Sequence, residues 1–205
     1  MVKVETLLTV HEIELKDMEI MDNIYEVDKK YLPKRSKSDE YLETANEYYG
    51  RVKTLLPNIP EEVLKQFFYK HSILDIGDYA WLDYRTLKFF KERWTSSFII
   101  NESGVKNNDK VIINKEKHFE LGYLYPRTKS IRNYLLKYHT WPGAPILLYN
   151  PEDNIVFPSG YKYTSPYHPI DGNNRLAIFL SLYENGQIKS DKKHLVWVVK
   201  TRKYQ

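Results

Sequence analysis

The chain has 205 residues, a hydrophobic content of 42%, an aromatic content of 15% and a formal net charge of +4 at pH 7. This composition supplies a hydrophobic core and excludes a wholly disordered chain. The absence of cysteine excludes disulfides and thiolate metal sites. No segment approaches the roughly 18 apolar residues of a membrane helix, so we expect a soluble, cytoplasmic protein with no membrane partner. The small positive charge permits binding to nucleotides or DNA without requiring it.

Residues 1–104 predict a mainly helical N-terminal region. Apolar side chains recur at steps of three and four residues between positions 42 and 52, which is typical of an amphipathic helix. EEVLKQFFYKH (61–71) predicts a second helix, with two acids in its first turn. DYRTLKFFKERW (83–94) predicts a third helix, and SSFII (96–100) predicts a strand.

Residues 105–205 predict a small α/β domain. Three apolar runs predict strands: VIIN at 111–114, APILLYN at 144–150 and HLVWVVK at 194–200. Two segments, 130–139 and 174–184, predict helices. The fold class is therefore α+β, with the helical N-terminal region joined to a C-terminal α/β unit that has a mixed sheet.

The densest polar cluster is DGNNR, from Asp171 to Arg175, at the start of the helix predicted at 174–184. Backbone N–H groups at a helix N-terminus carry partial positive charge, and Gly172 permits a sharp turn and the close approach of a ligand. A side-chain helix cap would account for one acid or amide in this cluster. It does not account for the cation in the first turn, which opposes the helix dipole. An anion site is the favoured interpretation, and the anion is a ligand or Asp171.

The order PILLYN, YHPIDGNNRLAIFLSLYENG, HLVWVVK resembles the ParB/sulfiredoxin-like superfamily over about residues 130–200. Its members place a D-G-x-x-R or similar element after a strand and at the start of a helix. The resemblance implies that Gly172, Asn173, Asn174 and Arg175 bind the phosphates of a nucleotide such as ATP or CTP. It also implies that Asp171 is a base or a ligand of a divalent metal such as Mg²⁺. The absence of cysteine excludes sulfiredoxin chemistry.

HPIDGNNR also resembles the H-x-F-x-D/E-G-N-G-R motif of Fic-type AMP transferases. This second resemblance implies that His168 is the catalytic base and that Asp171 holds a metal. Here one residue fewer separates the histidine from the acid, Asn174 replaces a glycine, and Ile178 stands in place of a second arginine. A shorter turn would move the base away from the proton that it must accept, so Fic is the less favoured of the two families.

Other residues around DGNNR have open interpretations. His168 is a candidate base, or a loop histidine packed against Tyr167. Tyr161, Tyr163 and Tyr167 alternate, which suits either the packed face of a strand or a stacking platform for bases. Four cations could extend the positive field around the site: Arg127, Lys129, Arg132 and Lys162. The polar residues His71, Asp75, Asp78 and Asp83 are better explained as a loop than as a metal site.

Two classes of function follow from the sequence. The first is an enzyme, a metal-dependent nucleotide hydrolase, phosphotransferase or nuclease, in which Asp171 assists a metal and Arg175 stabilises charge. The second is a non-enzymatic regulatory or inhibitor module that binds a nucleotide or DNA, and another protein through its helical N-terminal region.

Overall fold

The computed structural model describes residues 27–71, 76–120, 125–153, 155 and 162–204. Its helices are α1 (Ala45–Val52), α2 (Glu61–Val63), α3 (Ser96–Asn101), α4 (Asp109–Glu120), α5 (Pro126–Tyr138) and α6 (Asn173–Glu184). Its strands are β1 (Lys88–Thr95), β2 (Ile146–Tyr149), β3 (Tyr167–Asp171) and β4 (Lys193–Lys200). A π-helical turn, Leu64–Phe68, continues α2. Short 3-10 helices lie at Lys29–Tyr31, Ala80–Leu82, Tyr84–Thr86, Val105–Asn107 and Arg202–Tyr204.

The four strands form one mixed sheet in the order β1-β4-β2-β3. Strand β4 pairs antiparallel with β1 and parallel with β2, and β2 pairs antiparallel with β3. Helices and a mixed sheet together confirm the predicted α+β class. Strand β1 comes from before residue 104, so the sheet includes residues from both sides of the predicted domain boundary.

Both faces of the sheet are covered, because successive side chains of a strand point to opposite faces. In β2, Ile146 and Leu148 pack with side chains of α1 and α2 such as Tyr48. Leu147, between them, packs on the other face with side chains of α3 to α6 such as Leu176. The sheet therefore lies between two layers of helices, and the C-terminal end of β3 leads into α6. Among the described residues, no helix has both the length and the apolarity needed to cross a membrane.

Six of the predicted elements are confirmed. The helices predicted at 42–52 and 61–71 correspond to α1 and to α2 with its π-helical turn. The helices predicted at 130–139 and 174–184 correspond to α5 and α6, and the strands predicted at 144–150 and 194–200 correspond to β2 and β4. The predictions that fall on residues 1–26 and on Tyr161 lie outside the described residues.

Three predicted elements are wrong. Residues 83–94 were expected to be helical, but β1 pairs with β4 over eight residues, and this long-range pairing overrides the local helical pattern. SSFII forms α3 because the Thr95 side chain accepts a hydrogen bond from the Phe98 N–H at 3.1 Å and caps a helix. VIIN lies in α4, which begins after Asn108, whose side chain accepts from the Val111 N–H at 3.1 Å. A short apolar run fits either a helix or a strand, and in both segments a helix cap favours the helix.

Candidate functional site

Helix α6 begins directly after Gly172, whose backbone has φ +100°. A Cβ on this glycine would lie 2.8 Å from Pro145 Cβ, so the turn requires glycine for both its conformation and its packing. Among the described residues, no side chain caps α6. The interpretation of Asp171 to Asn174 as a simple helix cap is therefore wrong, and the first-turn N–H groups of α6 have no capping side chain.

Asp171, the last residue of β3, is buried and is bonded to three side chains. Its Oδ2 accepts hydrogen bonds from Arg175 Nη2 at 2.7 Å and Gln66 Nε2 at 2.5 Å, and its Oδ1 lies 3.1 Å from His71 Nε2. Arg175 Nη1 donates to the carbonyl oxygen of Gly143 at 2.9 Å. Only 5% of the Asp171 side chain and 13% of the Arg175 side chain are exposed. The anion that Arg175 requires is therefore, within the protein, Asp171.

This network keeps Asp171 ionised. Burial by itself would raise the pKa of Asp171, but the hydrogen bond with His71 and the charge of Arg175 outweigh it and hold the pKa at about 2. At neutral pH the carboxylate and the guanidinium form a charged, mostly buried pair. The pair fixes the C-terminal end of β3 to the first turn of α6.

The π-helical turn after α2 places two of the partners of Asp171 on one side of the chain. Gln66 and His71 are five residues apart, which in a regular α-helix would put them about 140° apart around the axis. In the turn, the Tyr69 N–H donates to the Leu64 carbonyl oxygen at 3.0 Å, a bond that spans five residues. The wider turn reduces the angle between Gln66 and His71, so both reach the same carboxylate.

An open cavity of about 590 Å³ lies beside this network, within the usual size of small-molecule sites. The first turns of three helices line it, through Lys110 of α4, Arg127 of α5 and residues 173–175 of α6. Lys70, just after the π-helical turn, adds a further cation. The lining has four cationic side chains and two carboxylates, Asp78 and Asp171. With the partial positive charge of the first turn of α6, the cavity is net positive.

Two cations of the cavity have no acidic partner in the described segments. Lys110 Nζ lies 3.8 Å from Asp78 Oδ2, an exposed and weak pair. Lys70 and Arg127 have no acidic partner within the part of the chain that the structure describes. The cavity therefore offers two cations that are available to an anionic ligand, in addition to the backbone N–H groups of α6.

The two asparagines of DGNNR differ in their surroundings. Asn174 Oδ1 lies 2.8 Å from His118 Nε2, which fixes that side chain. The buried Oδ1 of Asn173 has no hydrogen-bond partner among the described residues. Asn173 lines the cavity, and by rotating its amide it can present either an acceptor or an NH₂ donor. A buried polar atom without a partner is costly, so Asn173 is suited to bind a polar ligand group.

His168, the candidate base, is buried in β3 and is 2% exposed. Its ring stacks on Tyr163 with 4.2 Å between centroids, and its Nδ1 accepts from the Thr164 N–H at 3.1 Å. Burial, with a smaller contribution from the charge of Lys110, lowers the pKa of His168 to about 3. The ring is therefore neutral near pH 7 and lies outside the lining of the cavity. Catalysis by His168 stays a prediction that would require this packing to open.

The donor atoms of Asp171 suit an ion pair better than a metal site. Both carboxylate oxygens are already bonded, so a metal ion at Asp171 would have to displace Arg175, Gln66 or His71. Within the described residues there is no group of three or more His, Cys, Asp or Glu side chains that could hold a metal ion. Asp75, one member of the polar cluster in the sequence, lies outside the described residues.

No protein-family model matches the chain, and no curated protein or solved structure matches it significantly. The resemblances to the ParB/sulfiredoxin-like and Fic families therefore stay predictions.

Proposed function

We propose that the chain binds a nucleotide, or a nucleic-acid phosphate, in the cavity at the start of α6. The observation that carries this proposal is one open cavity at the uncapped start of α6 that also holds two cations, Lys70 and Arg127, without an acidic partner among the described residues. Phosphate groups fit such a site because they accept several hydrogen bonds and carry the charge that the helix termini favour. The predicted role of Gly172, Asn173 and Asn174 in phosphate binding is part of this proposal, whereas Arg175 acts on the ligand only through its charge.

Within the site the residues of DGNNR have different roles. The N–H groups of the first turn of α6 and the Asn173 amide face the phosphates and donate to them. Arg175, held by Asp171 and the Gly143 carbonyl, adds positive potential and fixes the turn instead of closing on the ligand. Lys70 and Arg127 approach from other elements and bind the outer phosphates, as flexible cations do.

Binding without turnover is the role that this geometry favours. Both oxygens of Asp171 are engaged by protein side chains in a buried position, and His168 is buried outside the cavity. Mg²⁺ would enter with a triphosphate such as ATP or CTP, held by phosphate oxygens and water. A metal-dependent hydrolase or nuclease, and a Fic-like AMP transferase, are the alternatives. Each would need Asp171 or His168 to leave its present partners. A protein partner for residues 1–104 is likewise a proposal.

The test is thermal unfolding of the full chain with ATP, CTP, GTP, UTP and pyrophosphate, with and without Mg²⁺. A ligand at about 100 times its Kd stabilises the protein by about 2.7 kcal/mol. The double variant Lys70→Gln/Arg127→Gln should bind the preferred nucleotide about tenfold more weakly or worse, because charge-assisted hydrogen bonds are lost. Lys117→Gln is the matched control, since Lys117 is an exposed lysine of α4 outside the lining of the cavity.

The proposal fails if no phosphate compound stabilises the protein at millimolar concentration, or if the double variant binds as the control does. Product analysis separates the alternatives. Turnover that is lost in Asp171→Asn would establish the enzyme, and transfer of AMP to protein that is lost in His168→Gln would establish a Fic-like transferase.

A further inference from the structure

Helix α5 exposes a stripe of side chains that starts in the cavity and continues along the protein surface. Arg127 and Ser130 line the cavity, and Tyr134, Lys137 and Tyr138 follow them at steps of three and four residues. These positions share one side of the helix and are all exposed, whereas Ile131 and Leu135 are buried. With a rise of about 1.5 Å per residue, the stripe from residue 127 to residue 138 is about 16 Å long.

The chemistry of α5 is that of a surface for a polyanion with flat, apolar rings. The helix carries four basic residues and no acidic residue. Tyr134 and Tyr138 are 37% and 46% exposed, and their ring centroids lie 4.5 Å apart. Lys137 Nζ lies 5.0 Å from the centroid of the Tyr138 ring. A pair of tyrosines at i and i+4 stabilises a helix slightly. That effect does not explain why the helix has no acidic residue, or why its tyrosines continue the line of cations that begins in the cavity.

We infer that this stripe, named the α5 stripe and comprising Arg127, Ser130, Tyr134, Lys137 and Tyr138, binds a single-stranded nucleic acid. The inference rests on the proposed function, because it places one phosphate of the strand in the cavity. The next phosphates follow Arg127 and Lys137, and successive bases stack on Tyr134 and Tyr138, as on the aromatic platforms of single-strand binding proteins. The ligand of the cavity is then a segment of a strand, and a free nucleotide occupies only the first position.

Two features favour a nucleic acid over an acidic peptide. The cations would attract either polyanion. Only a nucleic acid also has a planar base for each phosphate, which can stack on an exposed tyrosine ring. The single-stranded form is favoured over a duplex because the bases of a duplex are stacked on each other and do not offer their faces to the tyrosines.

The test is fluorescence anisotropy with the full chain and a labelled oligothymidine of about 12 nucleotides, within the site sizes of single-strand binding folds. The double variant Tyr134→Leu/Tyr138→Leu keeps apolar side chains with good helix propensity and removes both rings. Phe90→Leu is the matched control, because it removes an exposed ring from β1, at the opposite edge of the sheet from β3. A labelled polyglutamate of the same length measures attraction by charge alone.

We expect the double tyrosine variant to bind the oligothymidine about tenfold more weakly or worse, the loss expected for one or two stacked bases. Its thermal stabilisation by mononucleotide and the affinity of Phe90→Leu should equal those of the wild type. Lys70→Gln/Arg127→Gln should weaken both ligands. The polyglutamate should bind weakly and equally to wild type and tyrosine variant.

Other outcomes overturn the inference in distinguishable ways. If a mononucleotide stabilises the protein but the oligothymidine binds no more tightly, or is unaffected by loss of the rings, the proposed function stands and the inference fails. If neither nucleotide nor oligonucleotide binds, both fail. If polyglutamate binds tightly and requires the tyrosines, the α5 stripe is a surface for acidic peptides and the inference fails.

Discussion

The buried pair of Asp171 and Arg175 should show strong thermodynamic coupling. Their 2.7 Å contact joins side chains that are 5% and 13% exposed, so removing either charge leaves the other in a poorly solvated place. Breaking such a pair from one side costs about 3–5 kcal/mol of unfolding free energy. Asp171→Asn and Arg175→Met should each fall in this range. The double variant contains neither charge and should cost less than the sum, with a coupling energy of about 2–3 kcal/mol.

The assay is urea-induced unfolding of the wild type, the two single variants and the double variant at pH 7. The control cycle uses Lys115→Gln and Glu184→Gln, which form a bridge with side chains 31% and 48% exposed, and its coupling should stay below about 1 kcal/mol. If the effects of Asp171→Asn and Arg175→Met add to within about 0.5 kcal/mol, the two groups do not stabilise each other as their geometry requires. That result would refute the role of Arg175 in fixing the turn before α6 through its bond to Asp171.

Further predictions concern acid stability and the turn before α6. Because the pKa of His168 falls from 6.5 unfolded to about 3 folded, its contribution to stability is complete above pH 6.5 and is lost as the pH falls towards 3. His168→Gln should therefore remove about 2 kcal/mol of the loss in unfolding free energy between pH 7 and pH 5, and an unchanged pH dependence would contradict this. The depressed pKa of Asp171, about 2, gives stability that is present above about pH 4 and lost between pH 4 and pH 2, by about 2 kcal/mol. In Asp171→Asn this acid step should disappear from urea unfolding curves measured over that range. Gly172→Ala should destabilise the protein more than Gly186→Ala, by about 1–3 kcal/mol in thermal or urea unfolding, because both glycines have positive φ but only at Gly172 would a Cβ clash with Pro145. Equal effects would mean that the contact with Pro145 relaxes without cost.

The sequence predicted those elements whose local residue pattern agrees with the structure that they adopt in the fold. The apolar face of α6 and the glycine before it are visible in the chain, and the polar cluster DGNNR does line a cavity. Strand β1 could not be recognised, because it is an edge strand with only Trp94 fully buried, and its pairing partner β4 lies about 100 residues away. Local pattern carries no information on such a pairing.

The sequence predicted only those residues of the site that lie in DGNNR. Gln66 belongs to a π-helical turn that has no recognised sequence signal, and it bonds to Asp171 across the fold. Lys70 follows that turn and lines the cavity beside Asp171. Lys110 directly precedes VIIN, which the sequence predicts to be a strand, so its place in the first turn of α4 could not be foreseen. The misplaced charge of Arg175 was a usable signal, since it required an anion. The sequence left its partner open between Asp171 and a ligand, and the fold brings Asp171 within 2.7 Å of Arg175.

The sequence distance between the two halves of the Asp171 network has a consequence for the newly made protein. Gln66 and His71 leave the ribosome 105 and 100 residues before the carboxylate that they contact. At a synthesis rate of about 5–20 residues per second, they are made roughly 5–20 s before it. Strand β1 likewise waits for β4, its neighbour in the sheet. A nascent chain therefore has no ligand cavity to fill until α6 has been synthesised, and any nucleotide or strand that it binds is bound by the finished fold.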